Sequence, residues 1–194
     1  RQSPLALYVA NEMISKSFSV PATDLEEILA RNCRISDTAR AARFCRQAEQ
    51  ACYFCKDIHY PDVPLHTPTF DTTLLSAHIR PGHVTLIDCW ASWCGPCRAA
   101  IPKVKALYDK YGRDRFDVIS ISLDSKKEDW QKALEEEKMP WPQFIAGNRG
   151  YKQLTSRYNI SSIPNLILID GKGQVVCNTF SPEEIRIELE QILR

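Results

Sequence analysis

At 194 residues, with 44% hydrophobic residues, 25% charged residues and a net charge of +1, the chain has an ordinary globular make-up, long enough for one full core and a smaller appendage. The near-neutral balance gives no electrostatic reason to bind nucleic acid or an anionic membrane, and no run reaches the roughly 18 apolar residues that a bilayer span needs. The chain begins at Arg1 with no charged-then-apolar leader, so the expectation is a mature or trimmed product.

Residues 1–58 read as helical. "LALYVANEMI" and "ATDLEEILARN" carry apolar residues at three- and four-residue spacing, and "SDTARAARFCRQAEQACYFCKDI" is a long Ala- and Arg-rich segment behind a capping Ser or Asp. In "HYPDVPLHTPTF" prolines at 61, 64 and 68 break the helix and leave the chain extended. A boundary is therefore expected near residue 60, with a helical N-terminal segment over 1–60 and the main domain over 61–194.

Beyond the boundary the pattern changes to alternation. "HVTLIDCWA" and "FDVISISLD" are short runs rich in β-branched residues, separated by a helical stretch from about 95 to 111, which predicts a βαβ unit with parallel strands. "KKEDWQKALEEEKM" predicts a helix with Trp130, Ala133 and Leu134 on one face and a solvated charged face opposite, and "YKQLTSRYN" a further short helix. "NLILID", "GKG" and "QVVCNTF" form a hairpin signal. "SPEEIRIELEQIL" closes the chain as a helix with Ser181 as cap, Pro182 at the first helical position and Glu184 completing a capping box.

Eight cysteines stand at 33, 45, 52, 55, 89, 94, 97 and 177. Cys89 and Cys177 sit inside apolar runs, where a thiol serves as a small hydrophobe, and they read as inert core. "CWASWCGPCRAAIP", residues 89–102, is different: its C-x-x-C lies between a strand and a helix start. Cys94 directly follows the strand 84–91, so its sulfur is expected among unpaired backbone N–H groups at the positive end of the helix dipole, a setting that depresses a thiol's pKa. Cys97, three residues on, shares that side of the helix and is expected to be more covered. The asymmetry suggests that Cys94 attacks a partner disulfide and Cys97 resolves the mixed disulfide. Pro96 stiffens the turn between them, and Gly95 leaves room for a partner's backbone. Zinc would need a second ligand pair, yet after Cys97 the chain has one cysteine and no histidine. A purely structural bridge across two residues would remove almost no loop entropy.

"LIDCWASWCGPC" closely resembles the active-site stretch of thioredoxins. Pro102, five residues after Cys97, stands where that family kinks its active-site helix. Pro164, in "SSIP", stands where it places a cis-proline, and the hairpin and capped helix that follow also match. The resemblance covers about residues 68 to 194. "MPWPQF" and the helix pair between "ISISLD" and "SSIPNLILID" look like the insertion of the TlpA/ResA branch, the thioredoxin-like proteins of the bacterial cell envelope. It implies an α/β thioredoxin fold, a central mixed sheet flanked by helices, and thiol–disulfide exchange without a cofactor or metal.

By the same resemblance, Asp88 falls on the buried carboxylate proposed to exchange a proton with the resolving cysteine, and burial should raise its pKa as that role requires. Trp93 would flank the nucleophile as a partner-contact surface, while Trp90 reads as packing. Ile163 and Pro164 would form the groove edge that meets an extended substrate strand. The partners implied are protein disulfides and dithiols, apocytochrome c among them, with a membrane-embedded thiol carrier as electron donor. The implied location is the envelope or periplasm of a bacterium, with a membrane anchor on the full-length precursor among the arrangements that branch suggests. Three positions depart from the pattern: Asn165 where threonine is common, Ser120 about where thioredoxin has a lysine, and Gly95 where ResA-like members often carry glutamate.

"CYFC", residues 52–55, repeats the spacing without a strand before it or a helix start beneath it. With Cys33 and Cys45 it leaves two disulfides, packed free thiols, a four-cysteine zinc site or a second redox relay open, and the envelope resemblance favours disulfides. Two rival functions are a non-catalytic interaction module, against which the intact C-G-P-C argues, and a thiol peroxidase, whose Thr/Pro-flanked cysteine motif is absent.

Overall fold

A computed structural model describes residues 58–112 and 115–194. The expected N-terminal helices and the cysteines at 33, 45, 52 and 55 lie outside the described residues. In chain order the elements are β1 (Ile58–His59), β2 (Pro64–His66), β3 (Thr72–Leu74), a 3-10 turn (Leu75–His78), β4 (Val84–Trp90), α1 (Gly95–Tyr111), β5 (Phe116–Ser122), α2 (Lys127–Glu137), β6 (Gln143–Ile145), α3 (Gly147–Arg157), β7 (Asn165–Ile169), β8 (Gln174–Thr179) and α4 (Pro182–Ile192). The strands form one mixed sheet in the order β1-β8-β7-β4-β5-β6-β2-β3.

β4 lies at the centre, parallel to β5 and antiparallel to β7, and all seven of its residues are buried. Both of its faces are covered, which is why "VTLIDCW" reads as a near-continuous apolar run rather than an alternating one. Its even-numbered residues Val84, Leu86 and Trp90 join Cys97, Ile101, Val104 and Leu107 of α1, with Ile185 and Leu189 of α4, in one core layer. Its odd-numbered Ile87 and Cys89 join Leu154 of α3, Tyr158, Leu65 and Leu75 in the other. Each fully buried Leu, Ile or Val in these layers contributes about 1.5–3 kcal/mol of transfer free energy.

The expected βαβ unit, parallel pairing and hairpin are present. α2 buries Trp130 and Ala133, as its pattern predicts. Four local features differ from expectation. Ile58 does not end a helix: with His59 it pairs antiparallel with Val175 and Gln174 of β8. The proline-rich stretch is extended as expected but also joins the sheet, its β2 opening at Pro64 and pairing with the edge strand β3, where proline's missing N–H is tolerated. α3 begins at Gly147, four residues before the expected start. The capping box of α4 does not form, because Glu184 instead accepts the Thr179 hydroxyl at 2.6 Å, and that hydroxyl accepts the Ser181 N–H at 3.1 Å. Pro182 does occupy the first turn. Among the described residues no helix is long and apolar enough to cross a membrane.

Candidate active site

β4 ends at Trp90, and a short loop, Ala91–Ser92–Trp93, carries the chain to Cys94, the N-cap residue of α1. Cys94 has extended backbone angles (φ −86°, ψ 95°), and its Sγ accepts the Cys97 N–H at 3.2 Å. One of the helix's unpaired first-turn N–H groups thus points at the sulfur, the local reason this position favours a thiolate. Cys94 and Cys97 are joined in a disulfide, with Cα atoms 5.2 Å apart. The expected difference in cover is slight in this oxidised form, at 4% exposure for Cys94 and 2% for Cys97. Both pack in the α1-side core layer, and they differ in backbone position: Cys94 is the cap, and Cys97 lies inside the first turn.

Trp93, Gly95 and Pro96 surround the pair and are exposed, Trp93 at 70%. A Cβ built on Gly95 would meet nothing within 4 Å, so this side is open to an approaching chain. The Ile163–Pro164 peptide is cis. Cys89 pairs with Asn165 in the β4–β7 register, which sets Ile163 and Pro164 beside the end of β4 from which the dithiol loop departs. Trp90 is fully buried, as its packing role predicts.

Asp88 is 4% exposed, and strand alternation puts it on the α1 side of β4, with Leu86 and Trp90. Burial pushes its carboxyl up to about 6, although a hydrogen bond from Ser120 works in the opposite direction. Ser120 Oγ donates to Asp88 Oδ2 at 2.8 Å and accepts the Trp141 Nε1–H at 2.8 Å. The position resembling thioredoxin's lysine thus holds a neutral hydroxyl. Cys89, on the opposite face, is fully buried, and burial with the neighbouring Asp88 charge pushes its thiol well up, which suits inert core. Cys177 is buried in the α1-side layer.

Three features escape the sequence reading. Asp124, just past β5, is buried and accepts both the N–H and the hydroxyl of Ser92 in the dithiol loop, at 2.9 and 2.7 Å, and the Ser122 hydroxyl at 2.6 Å. The only local signal is a Ser-x-Asp at a strand end. Arg98, the cation after Cys97, is held by Glu137 at 2.5 Å and Glu136 at 2.7 Å, while Lys105 donates to the Glu137 carbonyl. A cleft of about 590 Å³ runs beside the dithiol loop, lined by Trp93, Leu123, Ala146, Tyr151, Ile160 and Ile163 among others. Tyr151 is 47% exposed and lies four residues into α3, where helical spacing marks it only as a surface residue. Among the described residues no group of three or more His, Cys, Asp or Glu side chains could hold a metal ion.

The thioredoxin-like family model matches residues 82–175. The chain is 26% identical over 133 residues to the thiol-disulfide oxidoreductase ResA of Geobacillus kaustophilus, covering 64% of this chain and 75% of that one. It is 33% identical to a thiol:disulfide interchange protein DsbE from Chlorobium tepidum of known structure, covering 71% of this chain and 95% of that one, with a TM-score of 0.57. The thioredoxin domain of a Bacteroides vulgatus thiol-disulfide oxidoreductase shares the fold, at 24% identity and a TM-score of 0.65 over 72% of this chain and 98% of that one.

A C-x-x-C disulfide at the start of α1, beside a cis-proline on a mixed sheet flanked, among the described residues, by four helices, defines a thioredoxin-fold thiol–disulfide oxidoreductase. The chain belongs to the thioredoxin superfamily, in its TlpA/ResA-like branch.

Proposed function

We propose that the protein reduces protein disulfides, with Cys94 as nucleophile, Cys97 as resolving thiol and Asp88 as proton acceptor. The Cys94 thiolate attacks one sulfur of the substrate disulfide, and the other leaves as a thiolate that takes up a proton. Asp88 then receives the Cys97 proton, the Cys97 sulfur attacks Cys94 Sγ, and the second substrate cysteine departs. Two electrons pass to the substrate, and the enzyme is left with its Cys94–Cys97 disulfide. The observation that carries the assignment is the placement of Cys94 as N-cap, its sulfur already accepting a helix N–H, with exposed Trp93, Gly95 and Pro96 around it. Ile163 and Pro164 supply the groove edge for an extended substrate strand.

The reductive direction follows from charge. A strong oxidant needs its reduced thiolate strongly stabilised, and each ~30 mV corresponds to about 1.4 kcal/mol of that preference. Gly95 and Pro96 bring no charge. Arg98, the one cation of the first turn of α1, is tied to Glu136 and Glu137, and an ionised Asp88 opposes a thiolate. The potential is therefore expected nearer the roughly −270 mV of a thioredoxin than the roughly −120 mV of a dedicated oxidant. ResA and DsbE likeness supports a bacterial envelope location. In that oxidising compartment a reductant must be recharged, which implies a membrane-embedded thiol carrier as donor. Equilibration in glutathione buffers tests the direction: a midpoint above about −180 mV would overturn it. Insulin reduction with dithiothreitol tests turnover, and a rate no faster than dithiothreitol alone would return the chain to a non-catalytic interaction module.

A further inference from the structure

Asp88, Ser120 and Trp141 form a hydrogen-bonded chain whose direction is set by its outer end. An indole N–H can only donate. Trp141 Nε1–H therefore uses one lone pair of Ser120 Oγ, at 2.8 Å, and leaves the hydroxyl's single hydrogen to be given elsewhere. Two acceptors face it: Asp88 Oδ2 at 2.8 Å and the Met139 thioether Sδ at 3.8 Å, which is a weak acceptor. The hydrogen goes to Asp88, so Oδ2 is an acceptor in the resting arrangement. Placing a proton on Oδ2 would reverse this bond, the carboxyl donating to the second lone pair of Ser120 Oγ and the serine hydrogen left with the weak thioether acceptor, so the resting arrangement serves the ionised carboxylate. All three side chains are buried, so water does not compensate cheaply.

We propose that Ser120 and Trp141 are positioning residues for the exchange reaction, the indole N–H turning the Ser120 hydrogen onto Oδ2 of Asp88 and so holding the carboxyl in the ionised form that takes up the proton leaving Cys97. This rests on the reading of Asp88 as the proton acceptor and adds what holds that carboxyl ready to accept. The relay uses no charge, whereas a lysine at position 120 would hold the carboxylate by ionic attraction. The surroundings of Asp88 are otherwise poor in charge. β7 presents Leu166, the α1 layer holds Cys94 and Cys97, the stretch before β6 brings Met139 and Trp141, and Cys89 faces the other side of β4. Beyond the dithiol on α1, Arg98 and Lys105 are engaged with the end of α2. The Ser120 hydroxyl is thus the main polar support of the ionised carboxylate.

The test measures the resolution step alone, as release of substrate from a preformed Cys94 mixed disulfide across pH 4.5–8.5, in the wild type, Ser120→Ala, Ser120→Thr, Trp141→Phe and Asp88→Asn. Loss of the hydroxyl should move the acid limb of the Ser120→Ala profile up by about one pH unit, slowing release several-fold below pH 6 and little above pH 8. Ser120→Thr restores the hydroxyl and should restore the wild-type limb. Trp141→Phe frees the hydroxyl to turn, and should shift the limb the same way by less. A carboxyl carbon NMR titration of Asp88 in the oxidised Ser120→Ala, Ser120→Thr and Trp141→Phe variants should move in parallel, a readout that simple loss of stability leaves in place. If Asp88→Asn removes the acid limb while Ser120→Ala and Trp141→Phe leave its midpoint unmoved, the relay is wrong and the proton-acceptor role stands. If Asp88→Asn leaves the limb intact, the proton-acceptor reading itself fails.

Discussion

Asp124 grips Ser92 through both carboxylate oxygens, Oδ2 accepting the backbone N–H at 2.9 Å and Oδ1 the hydroxyl at 2.7 Å. The two residues stand 32 positions apart, so this pair anchors the dithiol loop to the end of β5. Asp124→Ala leaves the Ser92 N–H and two hydroxyls to find other partners, which should cost about 1–3 kcal/mol of stability and slow insulin reduction. Urea unfolding and the insulin assay check this together. Asp124→Asn, which keeps one acceptor oxygen, should be milder. Equal stability and equal rate in the alanine variant would show that the loop needs no anchor.

Asp88 makes stability depend on pH in the direction opposite to a paired surface carboxylate. Its folded carboxyl is pushed from 3.8 up to about 6. Below pH 3.8 both folded and unfolded chains hold the proton, between 3.8 and about 6 mainly the folded chain does, and above that neither does. The contribution of this group is therefore complete at low pH and lost as pH rises through about 6. A separation of roughly two pH units is worth on the order of 3 kcal/mol. Asp88→Asn should consequently be more stable than the wild type at pH 8, by up to that amount, with the advantage shrinking towards pH 4. Urea midpoints at the two pH values decide it, and an asparagine variant that is less stable at pH 8 would contradict the burial argument.

The proposed division of labour between the cysteines predicts an asymmetric trap. Cys97→Ala should accumulate mixed disulfides through Cys94 when mixed with a disulfide-bonded protein, since nothing resolves them, and Cys94→Ala should accumulate few. Non-reducing electrophoresis followed by mass analysis of the linked peptide reads both. Equal trapping by the two variants would reverse or dissolve the assignment.

The cleft beside the dithiol predicts selectivity for protein over small-molecule disulfides. Trp93 and Tyr151 are large, exposed and part of its lining, so they can cover apolar side chains flanking a substrate cysteine. Trp93→Ala and Tyr151→Ala should each lower kcat/KM for a protein disulfide several-fold, leave the rate with a small aromatic disulfide nearly unchanged, and alter stability by less than about 0.5 kcal/mol. A parallel fall for both substrates would place the defect in the dithiol instead.

Much of the site was legible because its signals are local. The strand before Cys94, the helix beginning at Gly95 and Pro96 inside its first turn are properties of about a dozen consecutive residues, and short-range backbone physics sets them. The same holds for the β7–β8 hairpin and for Trp130 and Ala133 on one face of α2. Pro164 was readable through resemblance, and its cis peptide follows the family pattern. Local signals also misled where a competing partner lay just outside the window. Ser181 and Glu184 have the capping-box spacing, but Thr179, two residues before the cap, takes the glutamate. Ile58 continues a helical pattern, yet β8 offers it a sheet edge.

By itself the sequence determined the reactive unit: which cysteines meet, which of them caps a helix, and what sort of fold can hold them, because each depends on residues a few positions apart. Only the tertiary structure decided what surrounds that unit. Asp88, Ser120 and Trp141 meet because β4 and β5 pair in one register and the chain before β6 folds back over them. Asp124 reaches Ser92 because β5 ends beside β4, through the same pairing. The near-equal cover of Cys94 and Cys97 reflects what packs against α1. Hydrogen-bond direction, burial and the pKa they produce are sums over neighbours distant in the chain, and no spacing along the sequence encodes them.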